Sequence, residues 1–112
     1  MNAEVETFIK DNSLEWEKVN DLVERKIMAY DESLMLVKAA FKTGGIGPIH
    51  YHYHSQITHV ESGVFNVTIG EDTQLLTAGD SFYIPPNVPH GAICLEAGLL
   101  IDVFSPMRED FV

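Results

Sequence analysis

Cationic side chains are scarce in this chain: 7 Lys and Arg stand against 17 Asp and Glu, for a formal net charge of −10. Nucleic-acid binding rests on cationic neutralisation of phosphates, and anionic membrane surfaces recruit basic clusters, so the charge balance argues against both kinds of partner. Cysteine is nearly missing as well. Cys94 stands alone, which forbids an intramolecular disulfide and leaves nothing to indicate an oxidising compartment. No run approaches the ~20 apolar residues of a membrane-spanning helix, and the opening MNAEVETFIKD is acidic, without an apolar stretch of signal-peptide length. Repeats, low-complexity tracts and linkers are absent. The expectation is a soluble cytoplasmic protein whose residues 1–112, 46% hydrophobic and 21% charged, form one domain around one core.

What is present is a succession of short apolar stretches separated by turn residues. Val5, Phe8 and Ile9 recur at helical spacing and predict a short helix over residues 3–10. After Trp16 the pattern becomes that of strands: 25–30 and 34–41 around the turn Asp31-Glu32-Ser33, then 56–60 and 64–69 around Glu61-Ser62-Gly63. Further strands are expected over 74–76, 81–84, 92–95 and 99–104, with Gly44, Gly45, Gly47 and Pro48 interrupting the pattern before residue 50. Strands at roughly ten-residue spacing indicate an all-β sandwich or barrel.

Two blocks carry the chemistry: Gly44-x5-His50-x-His52-x3-Gln56-x6-Gly63, and Gly79-x5-Pro85-x4-His90. Successive strand side chains point to opposite faces, so His50, His52 and Gln56 share parity and can look into one interior, where His90 can join them. Imidazole suits Zn, Cu, Fe and Ni, and an amide oxygen completes a mixed N/O site. His54 shares the parity but is placed at the rim, and His59 has the opposite parity. Cys94 reads as a small buried hydrophobe.

This two-block pattern resembles the cupin superfamily across residues 44–94. It departs from the usual pattern by Gln56 for Glu, Asn87 for Gly and Cys94 for Asn. The resemblance implies a double-stranded β-helix, or jelly-roll barrel, holding one divalent metal, with Ni, Zn, Fe, Mn and Co all compatible. A neutral amide at 56 leaves such a metal a stronger Lewis acid than a carboxylate would, which favours polarising a substrate oxygen over dioxygen chemistry.

Two further residues stand out near the C-terminus. Asp102 interrupts an apolar strand on the face of Leu100 and Phe104, where a carboxylate is either paired, with Arg108 or a backbone amide, or tuned for function. Arg108 follows the strand, and its planar fork suits a substrate carboxylate. Leu99, Leu100, Ile101, Val103 and Phe104 make that strand apolar on both faces. Its outer face would need cover from the N-terminal segment or a second subunit, and a homodimer is expected.

The tail from Leu100 to Phe111, with Gln56-Ile57-Thr58 and the run from Pro89 to Glu96, is similar to the KdgF-type pectin-degradation cupins from about Val23 onward. That resemblance implies an enzyme converting 4,5-unsaturated uronate monosaccharides, from pectin or alginate lyases, to the linear keto form. It implies His50, His52, Gln56 and His90 as metal ligands, and Asp102, Phe104 and Arg108 as active-site residues; the chemistry of ring opening suits Asp102 as acid/base, Phe104 against the sugar ring, and either Arg108 or the metal on the carboxylate. Other readings are a metal-dependent dioxygenase or lyase acting on another small anion, and a non-catalytic sugar- or metal-binding module.

Overall fold

In the computed structural model, which describes residues 6–112, ten strands form two antiparallel sheets. They are β1 Glu17–Asn20, β2 Val23–Asp31, β3 Leu34–Phe41, β4 Ile46–His50, β5 Ser55–Val60, β6 Val64–Ile69, β7 Asp72–Thr77, β8 Ser81–Ile84, β9 His90–Glu96 and β10 Gly98–Ser105. One sheet has the order β1-β2-β3-β10-β5-β8 and the other β4-β9-β6-β7. The jelly-roll expectation holds.

Three local expectations need correction. Residues 6–10 are not helical; the described N-terminal segment has only a 3-10 turn at Asp11–Ser13, and residues 3–5 of the expected helix lie outside the described residues. Two turns of helix are marginal alone, and Phe8 is 86% exposed. Asp11 instead ties the segment down by accepting hydrogen bonds from Lys26 Nζ at 3.3 Å and Lys38 Nζ at 2.9 Å. The supposed break at Gly47-Pro48 lies inside β4, where the pairing with β9 shifts register between Gly47 and His50, so that proline occupies an irregularity instead of ending a strand. β1, an exposed edge strand, has no apolar alternation to announce it.

Inward side chains alternate along β3, β5 and β6 as the pleat requires. Phe41, Val60, Phe65, Val67, Cys94 and Leu100 fill one part of the space between the sheets, with the Phe41 and Phe65 rings edge-to-face at 5.3 Å. A second cluster of Met35, Val37 and Phe104 is joined by Met107 and Phe111 from the C-terminal segment. Gly63 turns the chain between β5 and β6 at φ +87°, and a Cβ there would meet Glu96 O at 2.6 Å, so no larger residue fits.

Candidate metal and substrate site

β4 ends on His50 and β9 begins on His90, and the two are paired across the sheet. Between β4 and β5 the chain leaves the sheet, and His52 lies on that loop. The loop is pinned by Asn87, whose backbone N–H donates to His52 O at 2.7 Å. Asn87 adopts φ +65°, the left-handed region that Asn tolerates among non-glycine residues, which explains how it serves where the usual pattern has Gly. One ring nitrogen from each of His50, His52 and His90 lies within 4.8 Å of the others.

The backbone sets which nitrogens converge. His50 Nδ1 donates to Pro48 O at 2.8 Å, His52 Nδ1 to His54 O at 3.2 Å, and His90 Nδ1 to Val88 O at 2.9 Å. Each ring therefore holds its proton on Nδ1 and presents a lone pair on Nε2. His90 Nε2 is buried with no partner among the described residues, and burial depresses the His90 pKa to about 4. Burial lowers the His52 pKa as well. An orphaned lone pair amid neutral imidazoles fits a metal ion. Gln56 extends the donor set, its Oε1 lying 3.0 Å from His52 Nε2.

Asp102, on β10, is registered opposite Thr58 of β5. It is not paired with Arg108 or a backbone amide. Thr58 Oγ1 donates to Asp102 Oδ1 at 2.6 Å, and Gln56 Nε2 stands 3.5 Å from the same oxygen. Burial pushes the carboxyl up to about 6, against the opposing pull of the Thr58 hydroxyl, the Arg108 charge and the Gln56 amide. The surface Asp102 retains faces a cavity of about 220 Å³, which His50, Gln56, His90, Phe104, Arg108 and Phe111 also line.

Arg108 is buried and held side-on by Asp110, through Nε to Oδ1 at 3.0 Å and Nη2 to Oδ2 at 2.8 Å. These hydrogen bonds, helped by the Arg108 charge, in turn keep Asp110 below the usual carboxylate range, against the opposing effect of burial. Side-on pairing leaves the end-on edge of the guanidinium, formed by both Nη groups, free for a second planar anion. Phe104 and Phe111 lie 5.2 and 4.4 Å from the guanidinium carbon and keep it over their rings. The C-terminal segment is fastened twice more: Tyr53 hydroxyl donates to Glu109 at 2.9 Å, and His54 Nε2 donates to Met107 O at 3.0 Å.

The cavity thus brings together His50, Gln56, His90, Asp102, Phe104 and Arg108, with His52 beside Gln56. His54 is stacked on Tyr53 and turned towards the C-terminal segment, outside the three-histidine group. His59 lies on the outer face, against Ser81. Thr58 and Asp110 were not singled out in the sequence. Asp110 sits within an acidic tail, and Thr58 reads as an ordinary β-branched strand residue, although its place two positions from Gln56 on the same face was a usable signal.

A family model described as Cupin domain matches residues 37–104. The chain is 40% identical over 104 residues to the pectin degradation protein KdgF of Dickeya dadantii (strain 3937), covering 91% of this chain and 94% of that one. Among solved structures, an RmlC-like cupin from Shewanella frigidimarina superimposes with a TM-score of 0.93 at 44% identity, over 96% of both chains. KdgF from Halomonas sp. does so with a TM-score of 0.91 at 37% identity, over 96% of this chain and 99% of that one.

Proposed function

This chain belongs to the cupin family, among its KdgF-type pectin-degradation members, and from that premise we propose that it opens 4,5-unsaturated uronate monosaccharides to their linear keto form. The observation that carries this reading is the meeting, in one small cavity, of a buried carboxyl with a pKa near neutrality, a half-free arginine and a nitrogen-rich donor set. About 220 Å³ is below the roughly 300–1,000 Å³ of sites for drug-sized ligands, which suits one sugar ring and not a polymer.

His50, His52, His90 and the Gln56 oxygen would hold one divalent ion, from among Ni, Zn, Fe, Mn and Co. When bound, it supplies Lewis acidity toward an oxygen of the sugar. Arg108 takes the C6 carboxylate on its end-on edge, the one Asp110 leaves free. Phe104 packs against the ring, and the C-terminal segment carrying Phe111 limits access of water.

The net reaction moves one proton from the anomeric hydroxyl to C4. The C1–O5 bond breaks as C1 becomes an aldehyde, and the enol left at C4 and C5 becomes a ketone at C5. No electrons enter or leave, so a single carboxyl that accepts and returns a proton serves, and general acid/base catalysis of this kind contributes ~100- to 10,000-fold. Asp102 has that role, and a pKa of about 6 leaves it able both to hold and to release the proton near neutral pH. The test is to add metal-loaded protein to freshly made unsaturated galacturonate or mannuronate and follow the ring alkene by NMR. Faster loss than in the protein-free control, with appearance of the linear ketone, is expected; no acceleration over the control with either sugar would refute the reading.

The homodimer belongs to the same proposal. On the outer face of the six-stranded sheet, Ala29, Leu36, Val103, Ile57 and Tyr83 are cross-strand partners in one row, and Ile57 and Tyr83 are more than half exposed. Such a stripe suits a second copy of the sheet. Light scattering should give twice the chain mass for the wild type and one chain mass for Ile57→Lys; a monomeric wild type at micromolar concentration would remove the dimer.

A further inference from the structure

We infer that Thr58 is a positioning residue: its hydroxyl fixes the Gln56 amide with the oxygen toward the histidines, and so couples the metal-binding cluster to Asp102. The inference rests on the metal-binding part of the proposed function and not on the sugar chemistry.

The direction of each hydrogen bond leaves one solution. A threonine hydroxyl has one proton and two lone pairs. With Asp102 ionised, its Oδ1, 2.6 Å from Thr58 Oγ1, only accepts, and the Thr58 proton is committed there. Any other partner of that hydroxyl must donate to it. Gln56, at 2.9 Å, therefore presents its NH₂ group, and the same group points on to Asp102 at 3.5 Å. The amide oxygen is left facing His52 Nε2 at 3.0 Å.

That nitrogen is itself an acceptor, because the His52 proton is committed to His54 O on the other side of the ring. Two acceptors facing each other across 3.0 Å, beside the orphaned Nε2 of His90, are repulsive until a cation lies between them. The polarity imposed by Asp102 is thus passed through Thr58 to the cluster. It also accounts for an amide at position 56 where cupins usually carry Glu. A carboxylate there would donate nothing, leaving two acid groups to compete for one hydroxyl proton in a buried space.

Thr58 has no accessible surface, so no water replaces it. Its β-branched side chain is stiff about χ1 on a strand, which keeps the hydroxyl aimed. Valine preserves the shape and removes both bonds, whereas serine keeps the hydroxyl.

The test is Zn(II) affinity, measured by competition with a chromogenic chelator on the full-length wild type, Thr58→Val and Thr58→Ser, each checked for its fold by circular dichroism. Supporting groups behind metal ligands typically contribute 10- to 100-fold in affinity. Thr58→Val should bind Zn(II) about 10-fold or more weakly, with Thr58→Ser restoring most of the loss. A folded valine variant that binds as the wild type does would overturn the inference.

The wild type supplies a second readout that does not depend on the variants folding. Its Gln56 side-chain NH₂ protons should exchange slowly with water and move downfield when Zn(II) is added. Fast exchange, or resonances indifferent to Zn(II), would overturn the inference equally. A wild type that binds no Zn(II) would refute the metal-binding reading itself, and this inference with it.

Discussion

The two ends of the interior are built from the same strands and differ only in which inward positions are occupied. At one end, β5 contributes Val60, β9 Cys94 and β10 Leu100, packed with Phe41 and Phe65 into an apolar cluster. At the other, the same strands contribute Gln56, His90, and Asp102 with Phe104 to the lining of an open cavity, with Thr58 buried behind Asp102. Leu100 touches both the packed cluster and the cavity, and one inward step further along β10 stands Asp102. The packed end makes the fold stable enough to tolerate a hollow end, where a lone pair is left without a partner and a carboxyl is largely withdrawn from solvent.

Substitutions that separate stability from chemistry test this division most severely. Phe65→Ala removes a fully buried ring and should cost ~3–5 kcal/mol in urea unfolding. His52→Ala, on the half-buried loop, should cost about 1 kcal/mol or less in the metal-free protein, yet abolish metal binding and turnover together. Comparable stability losses from the two substitutions, or stoichiometric metal retained in His52→Ala, would break the division. Between the extremes lies Asp102→Asn, which keeps an oxygen to accept from Thr58 but cannot carry a proton. Fold and metal content should survive, and turnover should fall at least about tenfold; near-normal turnover would remove Asp102 from the acid/base role.

The smallest effect concerns pH. Asp102 binds its proton up to about pH 6 when folded, against an ordinary value of 3.8 for the free side chain. Between those values the folded state holds more protons than the unfolded state, so this group's contribution to stability is greatest below about pH 4 and is lost as pH rises through 6. In metal-free protein, Asp102→Asn should therefore be more stable than the wild type by about 1–2 kcal/mol at pH 7.5, a figure reduced for the water the cavity admits. The gap should close below pH 4, and a gap of the same size at both pH values would assign it to another cause.

The site was legible in uneven measure. The histidines and Gln56 announce themselves through spacing between fixed glycines, and Asp102 through a charge set in an apolar strand. The jelly roll follows from strand rhythm. β4 was hidden because Gly47 and Pro48 are read as punctuation when the strand containing them is irregular, and β1 because an exposed edge needs no apolar alternation. The expected N-terminal helix failed because local periodicity over two turns cannot outweigh the tethering of Asp11 to Lys26 and Lys38. The contributions of Thr58 and Asp110 depend on hydrogen-bond direction between side chains that are brought together only in the fold, and no spacing rule encodes that.

The most direct test of the account is to run the reaction in D₂O with freshly prepared unsaturated uronate and read the product by NMR, for the wild type and Asp102→Asn. A single buried carboxyl delivering the proton predicts wild-type product with one deuterium on one face of C4, and a variant that yields product slowly with label on both faces. Wild-type product labelled equally on both faces, or an Asp102→Asn protein with unchanged rate and facial preference, would contradict it.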